Sequence, residues 1–390
     1  MIDKIKIDKL TSEPKKPHLR GAGKLVGKKK PRVIIAMSGG VDSSVSAAIL
    51  KKQGFDVIGI FMKFWAEDRE KSTSTKENIC CSVEAVTAAR AVAEKLKIPF
   101  YVVNFADEFK KTVVDYYVSE YENGRTPNPC VICNRDIKGE ILMRKVLELN
   151  GDYLATGHYA QVVKLGSRYR LLKGKDQNKD QTYFLWTLTQ EKLAKLLFPV
   201  GDLTKPEVRK LAKKFNLPTA ERRESQGICF IPDRDVSGFL HRHAKKLTKP
   251  GPVVSIDGEI LGQHNGLINY TIGQREGLGL GGPKAYYVVE LKSKENTLVV
   301  GDEKDLYQKS LIATGLNWID QSTDYSPQTT DIEATIRYGH PAEKCQIEFI
   351  DNNKVKVNFR KPQRAITAGQ SIVFYSGDEL LGGGVIEKIV

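Results

Sequence analysis

Past residue 31 the chain alternates short apolar runs with stretches of helical period. Residues 32–37, RVIIAM, form a continuous apolar run ahead of a Ser-Gly-Gly turn, the pattern of a strand buried on both faces. Residues 43–53, SSVSAAILKKQ, place apolar side chains at helical spacing and stop at Gly54, which predicts an amphipathic helix. The alternation continues with a strand over 56–62, a helix over 82–97 capped by Ser82 and barred by Pro99, a strand over 100–105 and a helix over 107–121. A Pro- and Asn-rich loop, NGRTPNPC, leads to a helix over 135–149, with Asn134 as its expected cap, and to a strand over 152–158. Strands alternating with helices predict an α/β unit built on a Rossmann-like parallel sheet. Ligands of such sheets bind beyond the carboxyl ends of the strands.

From about residue 250 the helical period fades. Short strands separated by Gly, Asp and Asn turns take over, as in GPVVSIDGEILG and CQIEFIDNNKVKVNF. This texture predicts a small β-rich central domain followed by a C-terminal β-barrel. The expected boundaries are 1–32 for a disordered basic extension, 33–220 for the α/β unit, 221–302 for the central domain and 303–390 for the barrel.

Charge changes this picture only at the amino terminus. Residues 1–32 carry nine Lys and two Arg against three acids, so +8 of the formal +14 lies in the tail and +6 in the remaining body. The tail is Lys-, Gly- and Pro-rich with few apolar residues, a composition that stays solvated. It has no apolar core, so it is not read as a signal peptide, and no stretch approaches eighteen consecutive apolar residues. The expected compartment is the cytoplasm, where the six cysteines are reduced thiols rather than a disulfide scaffold.

The sharpest chemistry is Ser38-Gly39-Gly40-Val41-Asp42-Ser43-Ser44, between the first strand and the first helix. Two glycines admit a phosphate close to the backbone, and N–H groups at a helix start hold it. Asp42 is placed to help hold magnesium. No Lys follows the glycines, so this is not a Walker loop. It resembles the PP-loop of ATP pyrophosphatases, which cleave ATP to AMP and pyrophosphate and adenylate a substrate oxygen. The plain alternative is a strand-to-helix turn. Gly21-Ala22-Gly23 and the run 277–284, where Pro283 stands at the Walker lysine position, read as loops without nucleotide. Asp42→Ala is expected to abolish adenylation with the fold intact, because Asp42 reads as a loop residue.

Cys130 and Cys133 lie in the Pro-rich loop just before the expected Asn134 cap, and a thiol at a helix N-terminus is stabilised as thiolate. Cys229 lies about a hundred residues on, and periodicity does not bring it to the other two. The segments RTPNPCVICN, ATGHY, KDQTYFL and SQGICFI occur in one order with the phosphate loop and the carboxyl-terminal RY and AGQ segments. Together they resemble the tRNA-specific 2-thiouridylase family over residues 33–390. The resemblance makes the α/β unit a PP-loop ATP pyrophosphatase catalytic domain and the barrel a tRNA-binding domain. It implies Cys133 as nucleophile and Cys229 as the persulfide carrier. It implies ATP contacts at Ala36, Met37, Ser38, Gly39, Gly40, Val41, Asp42, Ser43, Met62 and Gly157. Asn128, Pro129 and Cys130 match the segment that meets the target base, and His158, Lys179, Asp180, Gln181, Arg337, Tyr338 and Gln370 match tRNA-contacting positions.

Cys130 stands where many members have an Asp with an acid–base role, and Gly139 where an aromatic residue is usual. Three sulfur chemistries stay open: a metal-free persulfide and disulfide route, a [4Fe–4S] cluster on Cys130, Cys133 and Cys229, and a zinc site. Cys80-Cys81 reads as packing or incidental, and Cys345 as core on a strand. The implied cofactors are ATP and Mg2+. The implied partners are a tRNA anticodon stem-loop with its wobble uridine and a persulfide donor, either a cysteine desulfurase or a sulfur relay protein, with no membrane. A metal-binding RNA-binding protein without catalysis and a PP-loop ligase or amidotransferase are the competing readings.

Overall fold

The apolar runs become the middle of a parallel sheet. The computed structural model describes residues 30–67, 82–223, 227–231, 234–281, 285–320 and 332–390. The amino-terminal tail to residue 29 and Cys80-Cys81 lie outside the described residues. Residues 32–197 contribute strands β1 (Arg32–Ala36), β2 (Asp56–Lys63), β3 (Phe100–Asn104), β4 (Tyr153–Ala155), β5 (Ala160–Leu165), β6 (Arg168–Lys173) and β7 (Leu196–Leu197). Five of them form one sheet in the order β3-β2-β1-β4-β7, all parallel. Successive side chains of β1 face opposite layers, as the pleat requires. Val33 and Ile35 pack with Val45, Ile49, Ala89 and Val92, while Ile34 and Ala36 pack with Phe109, Val131, Ile137 and Leu142. Both faces are therefore covered, and the apolar run is explained.

Helix α1 (Val41–Lys52) departs from the amphipathic expectation. Val41 and every residue from Ser43 to Leu50 are buried. Its Ser and Ala positions let neighbours approach from both flanks, α2 (Val83–Leu96) on one side and the helix Lys205–Lys214 on the other. Ser82 caps α2 as expected, its hydroxyl accepting from Ala85 N at 3.2 Å.

Strands β8 (Gly251–Ser255), β9 (Ile260–His264), β10 (Tyr287–Lys292) and β11 (Thr297–Gly301) make a separate sheet, ordered β10-β11-β8-β9. The last region holds β12 (Tyr307–Trp318), β13 (Glu333–Thr335), β14 (Glu343–Asp351), β15 (Lys354–Arg364), β16 (Ser371–Ser376) and β17 (Glu379–Ile389). They run β12-β15-β14-β13-β16-β17, and a β12–β17 pairing closes them into a barrel. Cys345 lies on β14 against the barrel core, and burial pushes its thiol up to about 12. Among the described residues no helix is long and apolar enough to cross a membrane.

One pairing joins the α/β unit to the barrel. The β5–β6 hairpin turns at Gly166 and attaches to β17 through Leu171 opposite Leu380 and Leu172 opposite Glu379. A hairpin of the α/β unit thus extends the sheet of the barrel.

Candidate functional site

The phosphate loop follows β1, at the carboxyl end of the sheet. Gly39 has φ +72°, and a Cβ there would lie 2.3 Å from the carbonyl oxygen of Ala85 at the start of α2. Only glycine satisfies both conditions. The loop is braced from within: Ser38 N donates to Ser43 Oγ (3.2 Å), Gly40 N to Ser38 Oγ (3.4 Å) and Ser44 Oγ to Gly40 O (2.7 Å). Arg222 Nη1 donates to Gly39 O at 3.2 Å from outside. Ala36, Met37 and Val41 are buried, so these positions offer a ligand their backbone, while Ser38 is exposed. Met62 is half-buried at the end of β2. Gly157 closes the far wall, since a Cβ there would stand 2.8 Å from Ser43 N.

Asp42 is not an isolated loop carboxylate. It lies in the first turn of α1 and accepts from Lys205 Nζ on both oxygens at 2.8 Å, and from Tyr159 Oη at 2.8 Å. This corrects the expectation that Asp42 is a loop residue, and with it the reason for expecting Asp42→Ala to leave the fold untouched. Removing the carboxylate breaks a buried ion pair, which costs on the order of 3 kcal/mol.

The cysteine helix begins earlier than its sequence suggests. Asn128 is the cap, its side chain accepting from Val131 N at 3.3 Å, and Pro129 is the first helical residue. Asn134 is therefore inside the helix, buried, with Oδ1 accepting from Lys138 Nζ at 2.9 Å. Cys130 is exposed in the first turn, and Cys133 is buried and opens a π-helical run, Cys133–Leu142. Such wide turns recur at functional sites. Gly139 lies in this run, where a Cβ would meet Asn134 O at 2.9 Å, so the wide turn leaves no room for the aromatic residue usual there.

Cys229 is half-buried, and its neighbours Phe230 and Ile231 belong to the same hydrophobic cluster as Val131, Ile132 and Cys133. Phe230 lies edge-on to Phe109 at 5.8 Å and to Tyr117 at 5.4 Å. Packing thus brings the Cys229 segment to the cysteine helix. Cys130, Cys133 and Cys229 are all described, yet no three or more His, Cys, Asp or Glu among the described residues group to hold a metal ion.

His158 joins the two halves of the site. A lysine ammonium carries only donors, so at 3.4 Å from Lys138 Nζ the imidazole Nε2 accepts, and Nδ1–H donates to Thr156 Oγ1 at 2.7 Å. Desolvation, then the Lys138 charge, holds this imidazole well below its ordinary range, so it stays neutral.

The positions matched to tRNA contacts divide into two groups. Asp180 accepts from Gly174 N (2.9 Å) and Thr182 Oγ1 (2.6 Å), and burial raises its carboxyl above the ordinary range. Gln181 Oε1 accepts from Tyr159 N at 3.0 Å, and Gln370 Nε2 donates to Thr126 O (2.9 Å) and Pro127 O (3.3 Å). These side chains hold the scaffold, and Gln370 straps the Pro-rich loop to the barrel. Arg337 and Tyr338 lie in a turn after β13, not on a strand, because Gly339 at φ +74° turns the chain there. Arg337 Nη1 donates to Arg364 O at 2.9 Å. Tyr338 is 48% exposed and rests on Phe184 at 4.5 Å, and burial first, then nearby Asp180, raises its hydroxyl above the ordinary range, with Lys179 and Cys130 close by.

Sequence reading missed Tyr159, Lys138, Phe184, Lys205 and Arg222. Tyr159 and Phe184 sit inside the quoted segments ATGHY and KDQTYFL, whereas Lys205 and Arg222 carry no local signal.

Family profiles match three parts of the chain: a tRNA methyl transferase HUP domain over residues 31–233, a tRNA methyl transferase PRC-barrel domain over 237–302 and an aminomethyltransferase beta-barrel domain over 308–386. A tRNA-specific 2-thiouridylase MnmA from Carboxydothermus hydrogenoformans is 49% identical over 369 residues, covering 93% of this chain and 99% of the relative. Those of Symbiobacterium thermophilum (48% over 374 residues, 95% of each chain) and Clostridium perfringens (46% over 361 residues, 93% of this chain and 99% of the relative) agree with it. Identity at this level over nearly the full length of both partners shows that the chain belongs to the tRNA-specific 2-thiouridylase family.

Proposed function

We propose that the chain replaces the 2-oxygen of a tRNA wobble uridine with sulfur, using ATP to activate the oxygen. The observation that carries this reading is a continuous link between loop and thiol. Gly157 abuts Asp42 and Ser43, His158 next to it bonds Lys138, and Lys138 bonds Asn134, the residue after Cys133. A phosphate cradle and a buried cysteine thus belong to one frame.

The chemistry follows from the substrate. The uridine 2-oxygen is a poor leaving group, and transfer of AMP to it, with release of pyrophosphate, makes it a good one. N–H groups at the start of α1 stabilise charge on the departing pyrophosphate. Magnesium brought with the nucleotide would neutralise phosphate charge, and Asp42 is the loop carboxylate that would face it. Sulfur arrives as a persulfide on Cys229, loaded by a donor protein such as a cysteine desulfurase or a relay protein. The Cys133 thiolate attacks the Cys229 sulfur, forming the Cys133–Cys229 disulfide and releasing hydrosulfide. Hydrosulfide adds at C2 and AMP departs with the former oxygen. Cellular thiols then reduce the disulfide.

In this reading residues 33–220 together with the Cys229 segment are catalytic, the rest of 221–302 bridges, and 303–390 grip the anticodon stem in the cytoplasm. The base leaves its stack to reach the site, and the Tyr338–Phe184 pair offers it an aromatic face beside Cys130. No step passes through a metal on the cysteines. Cys130→Asp, which places there the residue many members carry, is accordingly expected to keep thiolation within about tenfold, a change of about 1.4 kcal/mol in the barrier. Loss of all activity in that variant, assayed by nucleoside analysis, counts against the metal-free route.

The function itself is tested by nucleotide turnover. Purified protein with ATP and tRNA bearing a wobble uridine is expected to form AMP and pyrophosphate, and to form neither when cytidine replaces that uridine. Equal turnover on both tRNAs refutes the uridine specificity of the proposal, and none on either refutes the activity and favours a binding protein without catalysis.

A further inference from the structure

The chain enters the cysteine helix through Thr126-Pro127-Asn128-Pro129, a segment with few means of holding itself in place. Pro127 and Pro129 carry no N–H and fix φ. Each also confines the residue before it to extended backbone, and Asn128 has φ −114° and ψ 92°. The segment is therefore a short stiff rod. A shift at Thr126 passes along it to the Asn128 cap and to Cys130 in the first helical turn.

The rod is anchored from outside, by two domains. Gly124 abuts Ser293, in the turn between β10 and β11 of the central sheet. On the barrel side Thr126 N donates to Ala368 O at 2.9 Å, and Arg125 Nη2 to Ile386 O at 3.4 Å. These contacts dock the start of the rod. The two carbonyls nearest the cap are held by one side chain, since Gln370 Nε2 donates to Thr126 O at 2.9 Å and to Pro127 O at 3.3 Å. Gln370 is itself pinned to the barrel: its N donates to Thr367 O (3.3 Å), and its O accepts from Ile386 N (2.8 Å). The next residue, Ser371, accepts from Tyr183 Oη through its carbonyl and from Trp186 Nε1 through its hydroxyl, both at 3.0 Å. One edge of the barrel thus holds the rod and the Tyr183 segment in a common frame.

Stability alone asks little of this amide. A net hydrogen bond contributes about 1 kcal/mol, and the rod start is docked without it. A tRNA contact is a poor account as well, because the amide nitrogen is turned to the loop backbone on two carbonyls. What the amide controls is the direction in which the rod leaves the barrel.

We propose that Gln370 is a positioning residue for the reaction, acting through the Thr126–Pro129 rod to set residues 128–130 against the target base, rather than a group that holds tRNA. The proposal rests on the reading of the chain as a tRNA thiolase.

Two measurements on the full chain test it: equilibrium binding of tRNA, and single-turnover pyrophosphate release from ATP at saturating tRNA. Gln370→Met keeps the length of the side chain and removes the donor. Its rate at saturating tRNA is expected to fall at least about tenfold, since a misplacement of about 1 Å costs up to about a hundredfold. Its tRNA Kd is expected to stay within about twofold of wild type, because no phosphate or base contact is lost. Gln370→Asn, whose amide stops short of Thr126 O, is read in the same way should the Met variant fail to fold. An unchanged rate in a folded variant overturns the role. So does tRNA binding weakened by more than about fivefold, with or without a slower step, because Gln370 is then a tRNA contact. Absence of tRNA-dependent pyrophosphate release in the wild-type protein instead overturns the thiolase reading, and is seen before any variant is made.

Discussion

Cys229→Ser eliminates 2-thiouridine, lowering its formation by at least about a thousandfold, because a hydroxyl cannot carry the sulfane sulfur. Cys229 is half-buried, so the substitution is small in volume and partly solvated. Adenylation does not use this thiol, and tRNA-dependent pyrophosphate release is expected to continue. Cys133→Ala is expected to be as severe for thiolation. Alanine is the better replacement there, because Cys133 lies in an apolar cluster where a serine hydroxyl would be buried at a cost of about 1–3 kcal/mol. Parallel assays of nucleoside composition and pyrophosphate release, with a persulfide donor and no free sulfide as the sulfur source, read both variants. Thiouridine formed at near wild-type rate by either would remove that cysteine from the sulfur path.

Gly39→Ala strikes the other half-reaction. The new Cβ would sit 2.3 Å from the Ala85 carbonyl oxygen, a backbone atom held by the Ser82 cap of α2, and Gly39 has φ +72°. Left-handed backbone costs a non-glycine residue roughly 1–2 kcal/mol, before the contact itself is relieved. Relief means moving the loop away from α2, which displaces the N–H groups of α1 from a bound phosphate. ATP binding is expected to fall at least about a hundredfold, with pyrophosphate release lost in proportion. The loop lies outside the barrel, so tRNA affinity stays near wild type. Unaltered ATP affinity in the folded variant would mean that the loop does not hold phosphate.

The elements of the α/β sheet were legible because their signal is local. A continuous apolar run such as 32–37 has one economical placement, between two helical layers. The barrel was legible for the same reason, since turn residues punctuate strands of period two. Less legible were features set by residues far apart. The helix start moved from Asn134 to Asn128 because Pro129 suits the first helical position, a competition the sequence leaves open. The all-round burial of α1 depends on a flanking helix more than 150 residues away. The attachment of the β5–β6 hairpin to β17 and the strap from Gln370 to the Pro-rich loop are likewise long-range.

The site divides along the same line. Gly39, Gly40 and Cys133 announce their chemistry in a short window. The carboxylate of Asp42 is equally visible, but its partner Lys205 comes from 163 residues downstream and has no motif of its own. Asp180 and Gln181, matched to tRNA contacts, turn out to bind Gly174, Thr182 and Tyr159. A polar residue in a loop shows its type in sequence, not the direction in which its side chain points.

The central claim is that one site uses ATP to exchange a uridine oxygen for sulfur. The most direct measurement is mass spectrometry of nucleosides from unmodified tRNA incubated with purified protein, ATP, Mg2+, inorganic sulfide and a thiol reductant. The expected result is 2-thiouridine at the wobble position, formed in step with AMP and dependent on ATP. Wobble uridine left unchanged by a folded protein that binds both ATP and tRNA would contradict the account.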